Sequence, residues 1–336
     1  MKAIKFFAIS AMAAAMITSC SSEDELSQSN YPSDNIVRVT AGVNNAKTRA
    51  EGAGTEMKNN FSLTIVNKNA PKYTYTDKVF SKTSGDWACS ETLLWQNSET
   101  TVDIAAFAPA QTGKFNGVYA EGSIQPITYS VADDQSTKSD NNDLLYYYAK
   151  DFNPGTSLVN KKLSIQFNHA FCMIDIVVTL GTEFNKPKVL DDSPIVKVTL
   201  DGTKIAANVD VKNAATGSTT TTAASVVTAS ETATPTTITT TKGTFTKAAN
   251  EEANAKSCFS CIAIPQTVAA NTFKVSLMTA GKRYEWTSAD KVELKSGYRY
   301  TLELSMGNNV VLLKNGSISA SPWTEGDTGD KPLETD

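Results

Sequence analysis

Few side chains in this 336-residue chain could do chemistry, and their spacing limits what that chemistry could be. There is one histidine, His169. A Ser-His-Asp or Cys-His arrangement would have to recruit it, yet no nucleophile elbow or motif cysteine points to it. Zinc sites built on two or three histidines are excluded by count. Cys258-Phe259-Ser260-Cys261 matches C-x-x-C by letter only. That motif works at a helix start or in a knuckle. CFSCIAIP instead reads as a strand running into Pro265, where positions i and i+3 face opposite ways. No second pair stands at metal spacing, so buried or incidental thiols are the reading. Spacing does not decide whether Cys89, Cys172, Cys258 and Cys261 form disulfides. The glycines form neither a phosphate loop nor a strand-linked G-x-G-x-x-G. Asp133-Asp134 and Asp191-Asp192 read as solvated loops, although a glycosidase can draw paired carboxylates from anywhere in a β fold. The expectation is a chain without cofactor, metal or catalytic set, and not an enzyme.

The N-terminus carries chemistry of another kind. Lys2 and Lys5 precede an apolar run, Phe6 to Ile17, which is too short to span a bilayer as a mature helix. It ends in Ile17-Thr18-Ser19-Cys20, which resembles a bacterial lipobox. An aliphatic residue and two small ones admit a peptidase, and the thiol carries diacylglycerol. Residues 1–19 then read as a lipoprotein signal peptide and Cys20 as the lipidated residue, with acyl chains holding the protein to a membrane surface. The alternative is an ordinary secretory signal with an incidental cysteine. Ser21-Ser22-Glu23-Asp24-Glu25 resembles the acidic signal that sends lipoproteins to the outer face of the outer membrane, and reads equally as a solvated tether. The formal net charge is -4, with Lys and Arg scattered, so nucleic acid is not an expected partner.

The elements between these residues read as β. In LSIQFNHAFCMIDIVVTL, Leu163, Ile165 and Phe167 alternate with polar residues, and the phase slips by one at Asn168-His169. From there Ala170, Cys172, Ile174, Ile176, Val178 and Leu180 form one face. A one-residue slip exchanges faces, so a bulge or bend near His169 is the economical reading of one long central strand. Before it, strands are expected at Asn35–Val43, Phe61–Val66, Tyr73–Phe80, Leu93–Trp95, Thr101–Ala108, Ile124–Tyr129 and Leu144–Tyr148, with turns at Ser84-Gly85-Asp86 and Phe115-Asn116-Gly117. After it, they are expected at Ile195–Leu200, Ile205–Val211, Cys258–Ile264, Thr272–Met278, Tyr284–Thr287 and Arg299–Met306. Val310 to Leu313 follows, and Asn315-Gly316 signals a hairpin before Ile318. Ala214 to Thr241 is a Thr/Ala tract without core-facing periodicity, read as a long surface loop or frayed hairpin. Asn153-Pro154-Gly155 stops both helix and strand and marks a junction. The expected organisation is all-β, with two tandem antiparallel β-sandwich domains at 50–155 and 156–324, a Thr/Ala-rich loop at 214–241 and an acidic tail at 325–336.

Several motifs coincide in order. The lipobox, Thr48-Arg49-Ala50 after a strand, Asp143-Leu144-Leu145-Tyr146, Leu163 to Ala170, Ile264-Pro265-Gln266-Thr267, Gly297-Tyr298-Arg299-Tyr300 and a closing Pro322-Trp323 together resemble the fimbrillin (Mfa-like, type V pilin) family of outer-membrane lipoproteins. The Thr/Ala tract departs from that pattern. The resemblance implies two transthyretin-like sandwiches and export as a lipoprotein, with residues 20–49 as tether and removable strand. An arginine-specific protease would cut between Arg49 and Ala50 and take away Asn35–Val43, whose Val37, Val39, Ala41 and Val43 face one side. A neighbouring pilus subunit would fill the groove by β-strand addition, the donor coming from the segment around Val310 to Trp323, with Val311 and Leu313 inward. The implied role is adhesion, with a host receptor or glycan as a further partner. An alternative is a surface glycan-binding lipoprotein stacking sugars on Trp87, Trp286 or Tyr119, and a third is a β-sandwich hydrolase.

Overall fold

The computed structural model describes residues 30–44, 55–57, 59–110, 119–120, 123–137, 143–214, 225–314 and 318–323. In chain order the strands of the first half are β1 (Val39–Val43), β2 (Thr55–Glu56), β3 (Phe61–Val66), β4 (Tyr75–Thr83), β5 (Asp86–Cys89), β6 (Val102–Ala108), β7 (Tyr119–Ala120), β8 (Ser123–Ile124), β9 (Ile127–Ser130), β10 (Leu145–Phe152) and β11 (Leu163–His169). Those of the second are β12 (Cys172–Leu180), β13 (Ile195–Asp201), β14 (Ala206–Val209), β15 (Val227–Ala229), β16 (Ile238–Thr239), β17 (Thr241–Thr246), β18 (Ala255–Ala263), β19 (Gln266–Val268), β20 (Lys274–Thr279), β21 (Arg283–Thr287), β22 (Val292–Leu294), β23 (Tyr298–Met306), β24 (Val311–Leu313) and β25 (Ser319–Pro322). The chain is all-β.

The first half forms an eight-stranded sheet in the order β2-β1-β11-β10-β6-β3-β4-β5, curled so that β5 lies against β1. Alternation directs Leu163, Ile165 and Phe167 inward, where they join Phe61, Leu63 and Ile104 in one core. Phe61 centres it, stacked on Phe80 at 5.4 Å and meeting Trp87 and Phe167 edge-on at 4.9 and 5.5 Å. The turn at Ser84-Gly85 is a two-residue hairpin with both residues at positive φ, +52° and +99°, the geometry that matches strand twist. In the second half, the sheet β17-β18-β12-β23-β24 faces the sheet β16-β13-β20-β21 across a core that includes Ile176, Leu200, Leu277 and Leu302.

The central segment is two strands, not one bent strand. β11 pairs with β10 and β1, whereas β12 lies between β18 and β23. The phase slip at His169 is therefore a handover from one sheet to the other. Past the junction expected at residue 155, β11 still pairs within the first sheet. Pro154–Ser157 is a single helical turn capped by the Asn153 side chain, and the chain then returns to the first sheet, burying Leu158. Asn-Pro-Gly ends a strand but needs only to make a corner.

A third core fills the handover. β9 from the first half pairs with β14, which pairs with β15, and the side chains of Ile127, Tyr129, Val209 and Val227 meet Phe107, Phe171 and Ile264. The Thr/Ala tract, expected as a long surface loop or frayed hairpin, contributes two short strands. Residues 215–224 lie outside the described part, but Val227 and Ile238 are buried in β15 and β16. Two apolar residues in a Thr-rich, β-favouring stretch are enough once neighbouring strands offer pairing. Leu93–Trp95 is not a regular strand and forms one bridge, Ile36 to Leu94. The turn expected at Asn315-Gly316 lies outside the described residues. β24 and β25 do not pair with each other, because both pair antiparallel with β23.

Candidate functional site

The first strand occupies a groove. Its entry is set by Asp34, whose carboxylate accepts from the Ile36 amide at 3.1 Å and pairs with Arg38 at 2.6 Å. Those hydrogen bonds hold the Asp34 carboxyl well below its ordinary range. Residues 35–37 then meet the Leu93–Trp95 segment, the Val37 amide donating to the Leu93 carbonyl at 2.9 Å and the Trp95 amide to the Asn35 carbonyl at 2.8 Å. From Arg38 the partner changes to β11. The Leu163 amide donates to the Arg38 carbonyl at 2.8 Å, and the register runs in parallel from Val39↔Leu163 to Val43↔Phe167. The run closes where the Asn44 amide donates to the Phe167 carbonyl at 2.7 Å and its side chain to Asn168 at 2.9 Å. On the other side β2 pairs only with Gly42 and Val43.

Side chains follow the alternation read from the sequence. Val37, Val39 and Val43 are 6%, 4% and 2% exposed, with Ala41 half-buried in the same core and Thr40 outside. Without this strand, the β11 edge from Leu163 to Asn168 would present unpaired backbone beside three valine-sized pockets. That is an arrangement another strand can satisfy by backbone pairing with alternate side chains inward.

Among the described residues, the C-terminal segment pairs with β23 in the other half and not with β1. Val311 is buried and Leu313 half-buried against the second core, while Leu312 and Val310 are 60% and 49% exposed. β24 and β25 run along β23 as one interrupted edge strand, and all four residues of β25 are exposed. Its root is pinned. Lys282 Nζ donates to the Asn308 carbonyl at 2.6 Å and to Asn309 Oδ1 at 2.8 Å, and Tyr284 Oη also donates to the Asn308 carbonyl. Trp323 follows β25 and is buried at the handover, stacked on His169. That contact is missed by sequence reasoning, and a tryptophan closing an otherwise polar tail was its one visible signal.

The remaining chemistry-bearing residues stay apart. His169 is held by Asp143 at 2.7 Å, which gives it a structural setting. The four described cysteines are free thiols. Cys261 points into the second core and Cys258 to the opposite face of β18, as a strand requires. Burial pushes the Cys172 thiol up and that of Cys261 up to about 12, so neither is a ready nucleophile. Asp191 and Asp192 are exposed and paired with lysines. Among the described residues no group of three or more His, Cys, Asp or Glu could hold a metal ion. Trp87 and Trp286 are half-buried, each meeting one ring edge-on, Phe61 and Phe273 respectively. The Tyr119 side chain, Cys20, Arg49, Ala50, the Phe115-Asn116-Gly117 turn and the tail at 325–336 lie outside the described residues.

Comparison with known proteins gives a consistent picture. The profile of a family described as fimbrillin-like matches residues 48–323. No curated protein matches the chain. A candidate cell adhesion protein from Bacteroides ovatus is similar in fold, with a TM-score of 0.58 at 15% identity over 87% of this chain and 99% of that one. A fimbrial protein from Bacteroides vulgatus is similar with a TM-score of 0.54 at 16% identity, over 86% and 99% of the two chains. A second candidate cell adhesion protein, from Bacteroides uniformis, has a TM-score of 0.53 at 14% identity, over 87% and 100%.

Proposed function

Because the chain belongs to the fimbrillin-like family, we propose that it is a fimbrial subunit that serves cell adhesion and assembles by strand replacement. In this reading it is exported as a lipoprotein on Cys20 and reaches the cell surface at the outer membrane. An arginine-specific protease cuts between Arg49 and Ala50, β1 leaves, and a neighbouring subunit fills its place with its own segment around Val310 to Trp323. The two sandwiches act as a scaffold without catalysis.

The observation that carries this reading is the seating of residues 35–44. They are bound by backbone hydrogen bonds to Leu93, Trp95 and β11, and they bury Val37, Val39 and Val43. Among the described residues, β2 pairs on the outer side of β1 at Gly42 and Val43. The family match begins at residue 48, beyond β1 and next to Arg49.

The test is trimming followed by assembly. Purified protein is cut with an arginine-specific protease, the new N-terminus is read by intact mass, and the product is followed by size-exclusion chromatography. Trimmed protein should convert to a strand-exchanged ladder, and Arg49→Ala should stay monomeric. Protein that is verifiably cut at Arg49 and still remains monomeric at high concentration would overturn the proposal. Mass spectrometry of the N-terminus from cells tests lipid on Cys20 separately.

A further inference from the structure

β25 is an edge strand without a buried side chain, and Ile318 ahead of it is only half-buried. Backbone pairing alone holds so short a strand weakly, because the entropy of fixing each residue matches or exceeds what its hydrogen bonds contribute. The residue that follows is different. The Trp323 ring lies on the His169 imidazole with centroids 3.8 Å apart and planes 13° from parallel. Its amide donates to the Gly297 carbonyl at 2.7 Å, and the Gly297 amide donates to the Phe171 carbonyl at 2.9 Å. Below the ring, His169 is fixed by Asp143 at 2.7 Å. Beside it, the Ser296 hydroxyl donates to the Ala170 carbonyl. Trp323 belongs to the junction core with Phe171 and Ile264, not to the core beneath β23.

We infer that this seat is the latch of the C-terminal strand. Trp323 of the same chain is its occupant. Occupation holds β25 on β23, and β25 opens only when the indole leaves His169. Since the seat lies where β11 hands over to β12, an opened latch also uncovers the junction between the two sheets. The latch itself stands on the geometry of Trp323. Its consequence for assembly, release of the segment to a neighbour, rests on the proposed strand replacement.

Hydrogen exchange of full-length protein, read by mass spectrometry, tests it with Trp323→Ala and Trp323→Phe. Peptides covering residues 298–301 and 318–323 should exchange roughly tenfold faster or more in Trp323→Ala, the order expected on losing a seated aromatic pair with its burial. Peptides covering β3 and β11 should keep their protection, and Trp323→Phe should fall between. Unchanged exchange at 298–301 in Trp323→Ala overturns the latch. So does loosening spread equally over both sheets, which would make Trp323 an ordinary core residue. Trimming the variants at Arg49 separates the latch from strand donation. Faster opening without polymer from any chain removes donation and leaves the latch, while normal polymer with unchanged exchange removes the latch and leaves donation.

Discussion

Replacing Val39 by alanine probes whether β1 seals the β11 edge. Val39 is 4% exposed and lies opposite Leu163. Deleting its two methyl groups removes about 1.6 kcal/mol of transfer free energy at ~0.8 kcal/mol per carbon. The unfilled space adds to this, for a total of about 2 kcal/mol. If that cost falls on β1 alone, local opening of the strand should rise roughly 30-fold, at tenfold per 1.4 kcal/mol. Thr40→Ala, on the exposed face of the same strand, should stay within about 0.5 kcal/mol. Hydrogen exchange of a peptide covering 163–168, with urea unfolding of the whole chain, separates local from global loss. Val37→Ala, Val39→Ala and Val43→Ala together would remove about 6 kcal/mol if additive, a large share of a typical domain's stability. The expected outcome is an exposed β11 edge on a sheet that otherwise remains folded. Equal β11 protection in Val39→Ala and Thr40→Ala would refute the groove argument. Complete unfolding of the first half in the triple variant would make β1 an integral strand, not a replaceable one.

Other outcomes follow from the same structure. Gly202 has φ +91°, and a Cβ there would sit 2.2 Å from the Thr272 carbonyl oxygen. Gly202→Ala should therefore cost well over the ~1–2 kcal/mol of left-handed strain alone, whereas Gly85→Ala, with open space around it, should cost about that amount; thermal melts compare them. Arg299→Ala takes the guanidinium away from the largely buried Asp175 carboxylate and should lower stability by up to about 3–5 kcal/mol in urea titrations. The two buried thiols predict an alkaline limb. Their folded pKa values lie above the ordinary 9.0, so the stability they contribute is complete below pH 9 and declines as pH rises from there toward about 12. Cys172→Ala with Cys261→Ala should flatten the fall in urea midpoint across that window.

What was legible in the sequence was mostly local. Alternation at Val37, Val39, Ala41 and Val43 is visible because side-chain direction on a strand has period two whatever the neighbour. It does not say which neighbour, and the parallel pairing of β1 with β11 depends on residues far along the chain. The slip at His169 was likewise visible, but a slip looks the same whether the strand bulges or changes sheets. Asn315-Gly316 carries a turn signal, but a local signal does not say which edge the flanking strands take, and β24 and β25 both pair with β23. Trp323 could be noticed as an aromatic in a polar tail. Its seat could not, because it is made by His169, Gly297 and Phe171, which only the handover brings together.

The parallel register of β1 on β11 has a mechanical consequence. A strand lying there runs lengthwise beside its partner, with pairs from Val39↔Leu163 to Val43↔Phe167 side by side. Tension along such a strand drags every pair sideways at once, in shear, whereas a pull across it would peel them off singly. How long a joint of this kind survives under load is set by its rate of rupture more than by its equilibrium strength. Any chain drawn out end to end through this position would therefore resist flow-driven stretching better than its few hydrogen bonds suggest.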